Sequence, residues 1–300
     1  MLFDILLNII LPVFVLVGFG FLLRKALVVD VQSLSRTVLY LFAPALIFSS
    51  LTRSKLTGTD FAQIVGFVLL FTLLMGGVVW AASRALGLSQ ARKNAFYLST
   101  LFLNAGNYGL PLSLFAYGQP GLERAVIFFA TTSLLTNTVA LYLASRGQAD
   151  VRRSALNVLR MPMVYALATA ILLRATGVSL PQFLSQPLEL AGNAAVPVLL
   201  VTLGMELSQI KLDTGLWMVG VAAALRLLAA PLVALLVASI LGLAGVTRQV
   251  CITQASMPTA VMTMVMAMEF GTDPRFVTSV VLVSTLASAL TLTLLIGALR

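Results

Sequence analysis

The 300-residue chain carries 19 Lys and Arg and 10 Asp and Glu against 60% hydrophobic residues, with a mean hydropathy of +1.03. Soluble proteins are roughly 25% charged, so these charges are too few to coat a water-facing surface, and lipid is the solvent. The net charge of +9 does not point to nucleic acid, because the basic residues stand singly or in pairs between apolar runs instead of forming one basic face with interleaved aromatics. The absence of His excludes His-based zinc sites, Ser-His-Asp triads and imidazole relays. The single Cys251 excludes an intramolecular disulfide and leaves the redox compartment unread.

A bilayer core takes roughly 20 apolar residues per helix, so spans are read as the gaps between charges. Taken in chain order, five spans fit at about 5 to 23, 37 to 52, 61 to 83, 94 to 117 and 125 to 145. Five more fit at about 161 to 176, 188 to 205, 214 to 241, 249 to 268 and 276 to 299. The run from Met1 to Leu7 holds Asp4 and has neither a basic leader nor a small-residue cleavage site, which reads as a retained span and not a signal peptide. With the N-terminus outside, twelve basic residues fall in inward loops: Arg24, Lys25, Arg36, Arg84, Arg92, Lys93, Arg146, Arg152, Arg153, Arg160, Lys211 and Arg275. Six fall outward. The bias places both termini on the non-cytoplasmic side of the cell inner (plasma) membrane.

The central stretch from Ala144 to Arg160, ASRGQADVRRSALNVLR, is the longest polar segment and divides the chain into units of 1–150 and 151–300. The two halves carry matched features in order. Pro44 in LFAPALIFSSL answers Pro197 in AAVPVLLVTLGMEL, ALGL from Ala85 answers ILGL from Ile240, and NAGNYGLP from Asn104 answers CITQASMP from Cys251. The last alignment pairs Asn107 with Gln254 and Gly109 with Ser256. Five spans per half is an odd number, so the halves insert upside down relative to one another, the arrangement of many secondary transporters. The expected fold is an all-α polytopic membrane protein, with ten transmembrane helices as two inverted five-helix repeats.

Spans four and nine carry the polar chemistry. Asn104, Gly106, Asn107, Gly109 and Pro111 fall within eight residues at mid-membrane depth, a composition an intact helix does not tolerate. Span nine repeats the device with Gln254, Ser256, Pro258 and Thr259. Such breaks survive in hydrocarbon only when buried in protein or lining a polar cavity, and two at matched depth are expected to cross. Crossing half-helices present N-termini that favour an anion, with Asn104, Asn107 and Gln254 donating amides and Pro111 and Pro258 opening the second half-helices.

At these residues the chain resembles the auxin efflux carrier family of membrane transporters, through NAGNYGLPL (104–112), TQASMPTAV (253–261) and the later Glu269-Phe270. The early LPVFVLVGFGFLLRK and the proline-centred LFAPALIFSSL extend the likeness over the whole chain. The resemblance implies carriage of small organic anions, since bacterial members include malate and other organic-acid permeases. It also implies a scaffold of spans 1, 2, 6 and 7, a moving unit of spans 3 to 5 and 8 to 10, and homodimers. Asn104, Pro111 and Pro258 match the family pattern, whereas Cys251 stands where the repeat would place a partner to Asn104. The 17-residue central segment departs from the long loop of the plant branch, which argues against auxin itself as the substrate.

Arg226 is the one central charge, about ten residues from either end of span eight, and a charge at that depth requires a cavity or a partner. Its guanidinium suits a carboxylate, while pairing with Glu206 or bonding to carbonyls freed by Pro231 are the structural alternatives. No Asp or Glu lies mid-span, so the coupling ion stays open among proton, sodium and none, with a sodium-coupled symporter of a larger amphipathic anion as the alternative function. A membrane-embedded enzyme would need mid-membrane carboxylate dyads or His, which are absent, and a channel would lack counterflow. The methionines at 257, 262, 264, 266 and 268 fit adaptable packing better than a metal path, and no cofactor is expected. Gly76, Gly77 and the alanines at 222–224 suit close helix packing.

Overall fold

Helix follows wherever the apolar runs are long, because a backbone in lipid must satisfy its own hydrogen bonds. The computed structural model describes residues 1–54, 56–144, 160–210, 212, 215–269 and 271–300. The central polar segment 145–159, Lys55, Lys211, Asp213, Thr214 and Phe270 lie outside the described residues, so the longest expected inward loop, three further loop charges and the second residue of the Glu269-Phe270 motif do too.

The first half contains α1 (Leu2–Ala26), α2 (Val31–Arg53), α3 (Gly58–Ala85), α4 (Gln90–Leu101) and α5 (Leu110–Ala144). The second half contains α6 (Pro162–Thr176), α7 (Gln182–Leu207), α8 (Leu216–Ile240), α9 (Gly245–Ala255), α10 (Met262–Glu269) and α11 (Pro274–Leu299). Among the described residues there is no strand. Among the described residues six helices, α1, α2, α3, α7, α8 and α11, are long and apolar enough to cross a membrane. The outward surface carries Leu73, Leu190, Leu232 and Leu290, all exposed, as expected where lipid replaces water.

Predicted spans four and nine are each divided in two. The fourth spreads over α4 and the start of α5, and the ninth over α9 and α10. The α5 run itself bends at Gly118, whose φ of 65° and ψ of −161° leave the helical region just before Pro120. Gly118 thus divides the run between the expected fourth span, ending near 117, and the fifth, beginning near 125.

Among the described residues four wide π turns interrupt the helices, at Leu6–Ile10, Val38–Phe42, Ala105–Gly109 and Leu225–Ala229. Each ends two residues before a proline, at positions 12, 44, 111 and 231. A proline has no N–H, and its ring clashes with the carbonyl four residues back. In all four cases that carbonyl falls inside the widened turn, which relieves the clash without ending the helix.

Glycine sets the closest helix contacts, but not at the expected pair. A Cβ at Gly20 would collide with the Val201 carbonyl, one at Gly204 with the Val17 carbonyl, and one at Gly192 would lie 2.5 Å from Ser49 Oγ and 3.1 Å from the Ala45 carbonyl. These three glycines let α7 lie backbone to backbone against α1 and α2. Gly76 and Gly77 instead have nothing within 4 Å, because their faces of α3 have no neighbour. The expected close packing there does not occur. Gly204→Ala should therefore lower the melting temperature sharply in detergent or nanodiscs. Gly76→Ala should leave it unchanged or raise it, since Ala stabilises helix by about 1 kcal/mol over Gly; equal melting of the two variants would refute the assignment.

Candidate functional site

The two breaks meet. After α4 the chain runs extended through Phe102 (φ −91°, ψ 124°) to Asn104, and after α9 it turns through Ser256 toward Ala260. Leu103 and Thr259 form an isolated antiparallel bridge, in which the Asn104 amide donates to the Pro258 carbonyl at 2.8 Å and the Ala260 amide to the Phe102 carbonyl at 3.1 Å. Each break thus satisfies the backbone groups of the other.

At the bridge Leu103 faces Thr259. The two prolines stand differently beside it. Pro111 is the second residue of α5, beyond the π turn, whereas Pro258 lies in the crossing segment itself and α10 begins only at Met262. Pro258 therefore does not open a half-helix.

Arg226 lies wholly buried in the π turn of α8, beneath the crossing. Its Nε donates to the Met257 carbonyl at 2.8 Å, one terminal nitrogen to the Thr100 carbonyl at 3.2 Å, and the other to the Ala255 carbonyl. These carbonyls belong to the last residues of α4 and α9 and the turn that follows. An unpaired helix C-terminus carries roughly half a negative charge; two such ends converge on one guanidinium, with the Phe71 ring 6.0 Å away. The carbonyls are those released by the breaks, not those released by Pro231. Among the described residues Arg226 makes no ion pair with Glu206.

The other sequence-selected residues gather around this centre. Thr259 donates to the Ser99 carbonyl at 2.5 Å and its amide to Ser284 Oγ at 3.2 Å. Ser256 donates to the Ile252 carbonyl at 2.7 Å, within its own helix turn. Gln254, fully buried, donates Nε2 to Ser113 Oγ at 3.1 Å, while its Oε1 has no partner. Gly109 exists because that oxygen occupies the place of a Cβ, and Gly106 because Phe129 would lie 2.7 Å from one. Asn104 is 5% exposed, and its Nδ2 is likewise unpartnered. The crossing therefore holds one amide donor and one amide acceptor that protein groups leave free.

Asn107 points elsewhere. Its Nδ2 donates to Glu206 Oε2 at 3.2 Å, and Glu206 Oε1 accepts from Ser35 Oγ at 3.0 Å. Glu206 and Ser35 were not among the selected site residues. The available signal was a carboxylate one residue from the end of an apolar helix, which sequence spacing alone assigns to a loop edge. Also unforeseen is the contact of Tyr117 with Thr253, 2.7 Å between hydroxyl oxygens, which ties α5 to α9.

The chain matches the family described as "Membrane transport protein" over residues 5–296. It belongs to this family, the auxin efflux carrier family of membrane transporters. An uncharacterized transporter of Methanothermobacter thermautotrophicus is 28% identical over 292 residues, covering 95% of each chain. An uncharacterized transporter of Methanocaldococcus jannaschii is 23% identical over 268 residues, covering 87% of each. The family match and these full-length relatives make the chain a multi-pass membrane transporter and not an enzyme.

For this family member, the geometry gives Arg226 a stabilising role. Arg226→Met would strip three buried carbonyls of their donors, at about 1–3 kcal/mol each, and should abolish folding or depress the melting temperature strongly. Arg226→Lys, with one nitrogen in place of three, should recover only part of the loss. Wild-type melting of Arg226→Met in nanodiscs would refute this role.

Proposed function

We propose that the chain is a secondary carrier of small organic anions, carboxylates of the malate type, working by alternating access with the substrate held at the crossing of the two breaks. The observation that carries this reading is the unpartnered Asn104 amide beside the crossing. A buried donor without an acceptor costs about 1–3 kcal/mol, and a carboxylate oxygen supplies that acceptor. The N-termini that follow the two breaks add partial positive charge. Arg226, bound to three carbonyls, contributes its charge at a distance and holds both breaks together, while Asn104, Gln254 and Thr259 line the crossing. Ser256, bonded within its own turn, shapes it.

In this reading the chain forms ten spans as two inverted repeats. The meeting of one break from each half at the Leu103–Thr259 bridge supports that arrangement, with residues 1–150 and 151–300 as the repeats. The scaffold is α1, α2, α6 and α7, whose glycine contacts are backbone to backbone; the transport unit comprises the remaining helices. The excess of basic residues in the expected inward loops favours both termini on the non-cytoplasmic side of the plasma membrane.

Protein reconstituted in liposomes preloaded with unlabelled malate should accumulate labelled malate by counterflow. Asn104→Ala should lower that flux about ten-fold or more while leaving the melting temperature within a few degrees of wild type. Flux in Asn104→Ala equal to wild type would remove the crossing as the binding site, and absence of counterflow for malate and related mono- and dicarboxylates would remove the substrate class.

A further inference from the structure

Glu206 is the one carboxylate bonded to the interrupted segment among the described residues, and the transport reading above assigns it nothing. It stands one residue from the end of α7, half-buried, and its two oxygens are held by groups from different parts of the fold. Ser35 Oγ donates from α2, and Asn107 Nδ2 donates from the π turn that follows the first break. The bond to Asn107 joins the α7 helix to the segment that crosses at the proposed substrate site.

No cation balances this carboxylate among the described residues. The last turn of α7 holds no basic residue. The basic groups on the elements packed against that end of α7 are Arg24 and Lys25 of α1 and Arg36 of α2, and none forms an ion pair with Glu206. Lys25 lies 5.1 Å over the Phe21 ring, and Arg24 Nε is buried without a hydrogen-bond partner. Farther along, Arg53 pairs with Glu189 of α7, Glu123 accepts from Ser54, and Arg124 faces Asp60 and Thr247. Lys211 lies outside the described residues.

A ready acceptor exists for a carboxyl proton. Thr202, 1% exposed, stands one turn before Glu206 on the same face of α7, and its Oγ1 has no hydrogen-bond partner. Helical side chains lean toward the preceding turn, so a protonated Glu206 has Thr202 Oγ1 in the direction of its lean.

We propose that Glu206 is a proton-binding site whose occupancy releases Asn107 from α7, so that the interrupted segment moves when the proton is bound. The inference rests on the transport reading in placing the moving segment at residues 104–109. As a carboxylate, Glu206 accepts from both Ser35 and Asn107 in charge-assisted bonds. Protonated, it becomes a donor at one oxygen, and the bond to Asn107 weakens to an ordinary neutral one or is lost. Proton binding and segment position are then thermodynamically linked, each shifting the other equally.

The test needs no substrate. Hydrogen exchange of the 104–109 amides, corrected for the intrinsic pH dependence of exchange, is measured on full-length protein in nanodiscs from about pH 5 to about pH 9. Wild type should show protection that falls about five-fold as the pH drops through a single midpoint. Glu206→Gln should hold the low, acid-like protection at every pH. Should that variant fail to fold, Ser35→Ala keeps the inference falsifiable: removing a donor to the anion should move the midpoint upward by about one pH unit, an effect a purely structural role for Ser35 would not produce. The inference is overturned by pH-independent protection in wild type, by protection that follows sodium in exchange for choline at fixed pH, or by an unmoved midpoint in Ser35→Ala. Titrating protection without malate counterflow would refute only the substrate reading; counterflow with pH-independent protection would refute only this inference.

Discussion

An interrupted helix in hydrocarbon leaves N–H and C=O groups that water cannot reach, and the need to satisfy them organises this protein. The chain interrupts two helices at one depth and lets each repair the other. The amides of Asn104 and Ala260 pair with the carbonyls of Pro258 and Phe102, and the carbonyls left over at Thr100, Ala255 and Met257 are gathered by Arg226. A lone buried guanidinium is costly when unpaired. Here two helix C-termini supply diffuse negative charge in place of a carboxylate, so the buried Arg226 is a component of the crossing.

Once the backbone is satisfied in this way, the side-chain amides beside it are free for other partners. Asn104 and Gln254 each keep one unpartnered atom in a buried place, an arrangement that a rigid core avoids and a binding site retains. The surroundings divide into two kinds of contact. The contact of α7 with α1 and α2 rests on glycines, and its geometry leaves no room for sliding. The ties between these helices and the interrupted regions include two polar bonds, Asn107 to Glu206 and Ser54 to Glu123, the latter at 2.7 Å, beside the edge-on contact of Phe14 with Tyr108. Polar bonds of this kind break and reform at a cost of about 1 kcal/mol, as the proposed alternating access requires.

Much of the outline was legible from residues. The apolar runs between charges gave helix, and among the described residues six of those helices are long and apolar enough to cross a membrane, because hydropathy reports the solvent directly. The two breaks were legible because Asn104, Gly106, Asn107, Gly109 and Pro111, and likewise Gln254, Ser256 and Pro258, contradict helix at membrane depth. The different settings of the two prolines were not: Pro111 follows a π turn and Pro258 lies in the crossing segment, and a proline in sequence does not say which. Arg226 was correctly singled out as the charge that needs a partner, but three main-chain carbonyls from two other segments leave no trace in the residue types. Gly76 and Gly77 were misread because a glycine reports what its backbone tolerates, and only a neighbour decides whether that tolerance is used.

The amino-acid sequence by itself determined the solvent, the helical class, the location of the two interruptions and the absence of His-based or disulfide chemistry, since each of these follows from counts and from local incompatibility with helix. Tertiary structure alone decided which residues of the two interruptions face each other, that Arg226 binds backbone, and that Glu206 of α7 meets Ser35 and Asn107. Those contacts join positions 29 to 171 residues apart. Hydropathy and propensity act over a turn or a span, whereas a hydrogen bond between distant segments exists only after the helices have packed.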